Sequence, residues 1–276
     1  MRTTLIKYIL VLLSFVFVCS SAQGQVKQQC AIKNTAFQTG EEIRYKLYYN
    51  WNFVWVPAGE VVFTVQDLDG LTRLKAEGKT YKSYEWFFKV DDVYESYVDP
   101  NTMLPNVSVR DIEEGNFTLY DRVEFDRNSS EAYSQRGKSK SEAVFKDPIP
   151  IQACVHDMLS VIYFARNLDY EGMDQGDIFP VSIFLDNEVY PLEVRYRGVH
   201  EKKKIKGLGN FETYLFSPAT IAGDVFKEGD EMKVWVSRDK NRLPLLIESP
   251  IAVGSVKAVL MDYKGLRYPA PRNINQ

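Results

Sequence analysis

The amino-acid sequence predicts a mainly β protein: a curved antiparallel sheet or barrel-like β domain of about a dozen strands, with one principal covered helix. Three observations predict it. Short stretches alternate apolar and polar residues with period two, as half-buried strands do. Gly, Asn and Asp punctuate them where tight turns are needed. One segment, residues 151–168, contains neither Gly nor Pro, and its apolar residues recur at helical spacing.

Residues 1–24 stand apart from the fold. Arg2 and Lys7 form a basic start, and Tyr8 to Val18 is an apolar run shorter than a comfortable membrane span. Ala22-Gln23-Gly24 then places small residues where a signal peptidase cuts, before Gln25. The expectation is a signal peptide over 1–24, an exported protein soluble in the periplasm or cell envelope, and a mature chain of 252 of the 276 residues. Cys19 lacks a lipobox, because Val18 stands where a small residue is required. After residue 24 no apolar stretch reaches the length of a transmembrane helix.

The strands follow in order. Ile43, Tyr45 and Leu47 share a face; Val61, Phe63 and Val65 repeat the pattern; Asp69-Gly70 supplies a hairpin turn before Leu71–Ala76. Val93–Val98 ends at Asp99-Pro100, Val107–Val109 follows, and Phe117, Leu119, Val123 and Phe125 alternate with polar neighbours. Residues 128–142 are polar and read as an exposed hairpin or loop. In the second half the alternating sets are Val181/Ile183/Leu185, Leu192/Val194/Tyr196, Phe211/Thr213/Leu215, Met232/Val234/Val236 and Leu243/Leu245/Ile247. A last run covers Val253–Tyr263. The helix is expected from about Ile151 to Asn167, on the concave side or at the open end of the sheet. No repeat or linker divides the chain, so residues 25–266 form one β-rich domain and 267–276 a frayed, disordered tail.

Composition narrows the function. The formal charge of −3 falls by two, to −5, when Arg2 and Lys7 leave with the leader, which argues against a nucleic-acid partner. Lys202-Lys203-Lys204 is the one basic run and reads as a solvated hairpin face. The mature chain keeps Cys30 and Cys154; in an oxidising compartment an even count points to one disulfide, the alternative being two thiols that never meet.

The two histidines, His156 and His200, belong to no metal or nucleophile motif, and His156 reads as capped or solvent-exposed. Asp91-Asp92 and Glu113-Glu114 are adjacent acids on opposite strand faces. No catalytic constellation, metal site or cofactor motif is recognisable, and the expectation is a protein that is not an enzyme. Aromatic clusters carry the binding hypothesis: Trp51, Phe53, Trp55, Trp86 and Phe88 either line a ligand pocket or fill a large β core.

Several stretches together resemble an exported bacterial family, number 3108 among the domains of unknown function. They are Gly40–Tyr45, Trp51 with Ala58-Gly59-Glu60, Tyr94–Asp99, Gly207–Tyr214 and Val234-Trp235-Val236-Ser237-Arg238-Asp239-Lys240-Asn241-Arg242-Leu243-Pro244. The resemblance spans roughly 38–262 and looks like the Bacteroidetes branch. It implies an envelope compartment and a β fold, and carries no catalytic residues with it. The leading expectation is a non-catalytic envelope protein binding a lipid, another amphiphile or an envelope partner in its concavity. The alternatives are an assembly protein with a filled core, and a glycan-binding protein or glycan hydrolase.

Overall fold

The computed structural model describes residues 30–51, 54–86, 88–219, 231–250 and 254–274, with only the backbone of Trp51. The leader expected over 1–24 and Phe53 lie outside the described residues.

Strands β1 (Glu42–Trp51), β2 (Val54–Leu68), β3 (Leu71–Thr80), β4 (Asp91–Val98), β5 (Pro105–Glu114), β6 (Phe117–Asp126) and β7 (Glu131–Gly137) form an antiparallel meander. Three two-residue strands follow: β8 (Val144–Phe145), β9 (Ile149–Pro150) and β10 (Val155–His156). After helix α1 (Met158–Ala165) comes a second meander: β11 (Ile178–Leu185), β12 (Glu188–Ile205), β13 (Gly209–Pro218), β14 (Lys233–Ser237), β15 (Pro244–Pro250) and β16 (Ser255–Lys264). Pairing of β16 with β1 joins the meanders into one sheet of sixteen strands among the described residues. All neighbours are antiparallel except β10 and β11.

This topology curves the sheet. Its outer strands, β9 on β7 and β10 on β11, are separated in sequence by residues 151–154 alone. Five Cα steps reach about 17 Å, so the two edges must approach each other. Side chains cross the remaining gap: Arg127 donates to the carbonyls of Pro105 and Val155, and Phe125 meets Phe184 edge-on at 5.6 Å. The sheet stays open, a barrel-like form without closure.

Turn chemistry behaves as expected. Asp69 and Gly70 take positive φ angles of 50° and 87° at the β2–β3 hairpin, and the Asp69 carboxylate is one of the few L side chains tolerated there. Asp239 Oδ1 accepts from the Asn241 and Arg242 amides at 2.7 and 3.2 Å, turning the chain between β14 and β15. Pro244 opens β15 where the β14–β15 register shifts, so no ladder bond is lost to its missing N–H.

Four expectations are corrected. The helix is shorter than 151–168: Cys154 is held by a disulfide to Cys30, Val155 and His156 pair with Ser182 and Ile183, and Asp157 caps α1. The Asp157 carboxylate accepts from the Leu159 and Ser160 amides at 2.7 and 2.8 Å, while Ser160 Oγ accepts from the Asp157 amide at 3.0 Å. The disulfide therefore ties the N-terminal segment to the residue that leads into β10. His156 is buried, not exposed. Polar residues 128–142 contain β7, whose Ala132 and Ser134 are fully buried, because their small side chains face the core and Ser134 Oγ donates to Asp121 at 3.1 Å. The tail is docked through Ile274: Asn241 Nδ2 donates to the carbonyls of Tyr268 and Pro269, and Ile274 N donates to Asn210 O at 2.9 Å.

Candidate functional site

The concave side is occupied by the chain's own segments. Leu159, Tyr163 and Phe164 of α1 pack with Phe37 of the N-terminal segment and with Leu74, Val98, Met103, Phe179, Tyr214 and Val236 from both meanders. The space between the start of α1 and β4–β6, bounded by Tyr94, Val109, Val123, Leu159 and Phe184, is about 20 Å³, room for about one water.

A polar network locks α1 into this interior. Arg166, just beyond the helix, donates to both Glu41 carboxylate oxygens at 2.6 and 2.9 Å and to Asn241 O at 3.1 Å. Its guanidinium lies 5.3 Å from the ring centroids of Phe37 and Tyr163. Burial opposes its charge, and the Glu41 carboxylate more than compensates, holding Arg166 above its ordinary range. Asn167 Oδ1 accepts from the amides of Thr35 and Ala36 at 2.6 and 3.0 Å. His156 stacks on Phe164 at 4.4 Å; burial, aided by the Arg127 charge, pushes its pKa down to about 3, so the imidazole is neutral. A neutral histidine against apolar rings and a fully paired Arg–Glu unit are packing devices.

The three sequence-predicted aromatic candidates with described side chains, Trp55, Trp86 and Phe88, do not converge on this interior. Trp55 lies beneath the Lys257 ammonium, 4.0 Å from its ring centroid. Trp86 is 83% exposed and Phe88 49%, both in the β3–β4 connection. Packing decides this: the concavity is already filled, and the connection ends at Val90, bridged to Glu114 at the rim of the sheet. Trp86 and Phe88 therefore line no interior pocket, a correction to the sequence reading.

Phe88 packs at that rim. The Phe88 ring covers Gly115, where an added Cβ would approach Cε2 at 3.2 Å, and Gly115 holds a φ of +58° in the turn before Phe117, itself 54% exposed. Beside this patch, Asp92 accepts from the Glu113 amide at 3.1 Å and faces the Glu114 carboxylate. Burial first, then the Glu114 charge, pushes the Asp92 pKa up to about 7. Among the described residues no group of three His, Cys, Asp or Glu side chains is placed to hold a metal ion. No helix among them is long and apolar enough to cross a membrane.

The family model described as "Protein of unknown function (DUF3108)" matches residues 44–261. The chain belongs to this family. No curated protein matches the chain in sequence. In three dimensions the DUF3108 chain is similar to a β-barrel-like protein of domain of unknown function DUF1849 from Brucella abortus. The TM-score is 0.54 at 9% identity, covering 85% of this chain and 100% of that one. Identity this low speaks to fold alone, and the shared feature is the curved sheet.

Sequence reasoning did not find Glu41, Arg166, Asp157 or the Asp92–Glu114 contact. Asn241 was visible as part of a turn motif, while its bonds to the tail and to Arg166 are long-range. An Arg-Asn pair ending an apolar helix was the one available signal for Arg166 and Asn167.

Proposed function

We propose that this DUF3108 protein is an exported, non-catalytic member of a Bacteroidetes-type cell envelope, engaging an envelope partner protein through the aromatic rim of its sheet. The observation that carries the reading is the contrast between a concavity packed around α1, with about 20 Å³ left beside the start of the helix, and rings turned outward at Trp86, Phe88 and Phe117. Exposed aromatics grouped at one edge of a rigid scaffold are what interface anchors require. Two features support export: the basic–apolar–small pattern of residues 1–24, and Cys30 bonded to Cys154. A filled concavity favours an interaction protein over an amphiphile carrier.

The test is a photo-crosslinking amino acid at position 86 in protein expressed in its own host, with position 128 in the opposite turn as control. A discrete protein adduct at 86, lost on Phe88→Ser and Phe117→Ser substitution, is the expected result. A lipid adduct would return the carrier reading, and adducts of equal yield at both positions would defeat the rim as an interface.

A further inference from the structure

We infer that Lys203, Lys206, Lys233 and Lys257 form a binding site for a phosphate-bearing ligand. Strand register sets the frame. Lys233 on β14 pairs with Glu248 on β15, Glu248 with Lys257 on β16, and Lys257 with Tyr48 on β1, which places all four in one row on one face. The end of β12 comes onto this row. Lys203 Nζ lies 3.4 Å from the Trp235 ring centroid, and Lys206 Nζ lies 4.8 Å from that of Tyr48. Lys257 Nζ sits over Trp55 and 3.0 Å from Glu248 Oε1.

Lys203, Lys233 and Lys257 thus share the Glu248 carboxylate, and of these three only Lys257 is in ion-pair contact with it. Lys203, read in the sequence as part of a solvated run, is half-buried; desolvation lowers its pKa, with Lys257 and Lys233 adding like charge against the pull of Glu248. Gathering like charges on neighbouring strands costs free energy that the fold does not recover internally. An anion recovers it. The aromatic faces beneath three of the lysines hold their stems and reduce the ordering needed on binding. Phosphate suits the arrangement better than carboxylate: it offers more acceptor oxygens and up to two negative charges to several point-charge donors.

The site includes none of Trp86, Phe88 and Phe117, so it stands or falls separately from the rim interface. Full-length mature protein is titrated with inorganic phosphate and, in parallel, with phosphatidylglycerol vesicles against phosphatidylcholine vesicles. Binding to anionic vesicles alone assigns the phosphate to a membrane headgroup; binding to inorganic phosphate assigns it to a soluble ligand. In either case Lys203→Met with Lys233→Gln weakens binding by about tenfold or more, with a thermal midpoint no lower than that of wild type. Methionine keeps the apolar cover over Trp235, and Lys233 is exposed, so the variant retains its packing. Lys264→Gln, whose lysine pairs with Glu42 elsewhere, binds as wild type. Wild-type protein that binds neither probe at low salt, or a Lys203→Met/Lys233→Gln variant that binds as tightly as wild type, overturns the site.

Discussion

At the scale of single residues, burial turns two ordinary titratable groups into opposed pH terms. His156 has a native pKa near 3 against an ordinary 6.5, so between those values the unfolded chain takes up a proton that the native state refuses. Its contribution is present at neutral pH and lost as pH falls from about 6.5 toward 3. Asp92 runs the other way. Its native pKa near 7 exceeds the ordinary 3.8, so the native state keeps a proton that the unfolded chain releases, and stability declines as pH rises through that window. Urea midpoints at pH 4, 6 and 8 separate the two. Asp92→Asn should match wild type at pH 4 and exceed it at pH 8, whereas His156→Gln should flatten the loss on the acid side. Midpoint differences between variant and wild type that do not change with pH would refute both assignments. Neither shift is legible in the sequence, since His156 is flanked by polar Asp157 and Asp92 by Asp91; both follow from which neighbours the sheet brings close.

At the scale of elements, α1 shows how periodicity can locate a helix and still misjudge its buried face. Leu159 and Ile162 alike belong to the apolar residues that recur at helical spacing in 151–168. In the fold Leu159 is 4% exposed in the central cluster, while Ile162 is 36% exposed. Leu159→Ala should therefore cost about 2–5 kcal/mol and Ile162→Ala no more than about 1 kcal/mol, measured by thermal or urea unfolding. Equal losses would mean that a further segment covers Ile162. The early start expected for the helix, near Ile151, failed for a local reason: Asp157 and Ser160 close a capping box, and two residues before the cap pair as strand. The C-terminal segment failed in the other direction. Its Pro- and Asn-rich composition suits fraying, yet Asn241, 27 positions before Tyr268, meets its backbone on both sides.

At the scale of the whole molecule, the Cys30–Cys154 bond closes a loop of 124 residues that contains the entire first meander. Replacing both cysteines by serine should cost about 2–5 kcal/mol, read as a lower denaturant midpoint. Non-reducing peptide mapping of native protein should recover the linked pair, and two freely alkylated thiols would sink the prediction. What the sequence by itself determined is the local grammar. Alternation in Ile43–Leu47 or Val61–Val65, the turn at Asp69-Gly70, and one apolar helix all depend on neighbours a few residues apart, and together they specify a curved β protein. Only tertiary structure decided what that curvature encloses. Whether aromatics fill the concavity or leave a pocket depends on side-chain volumes summed across strands far apart in the chain. The pairing of Glu41 with Arg166, of Asp92 with Glu114, and of three lysines with aromatic rings depends on strand register, which no single segment encodes.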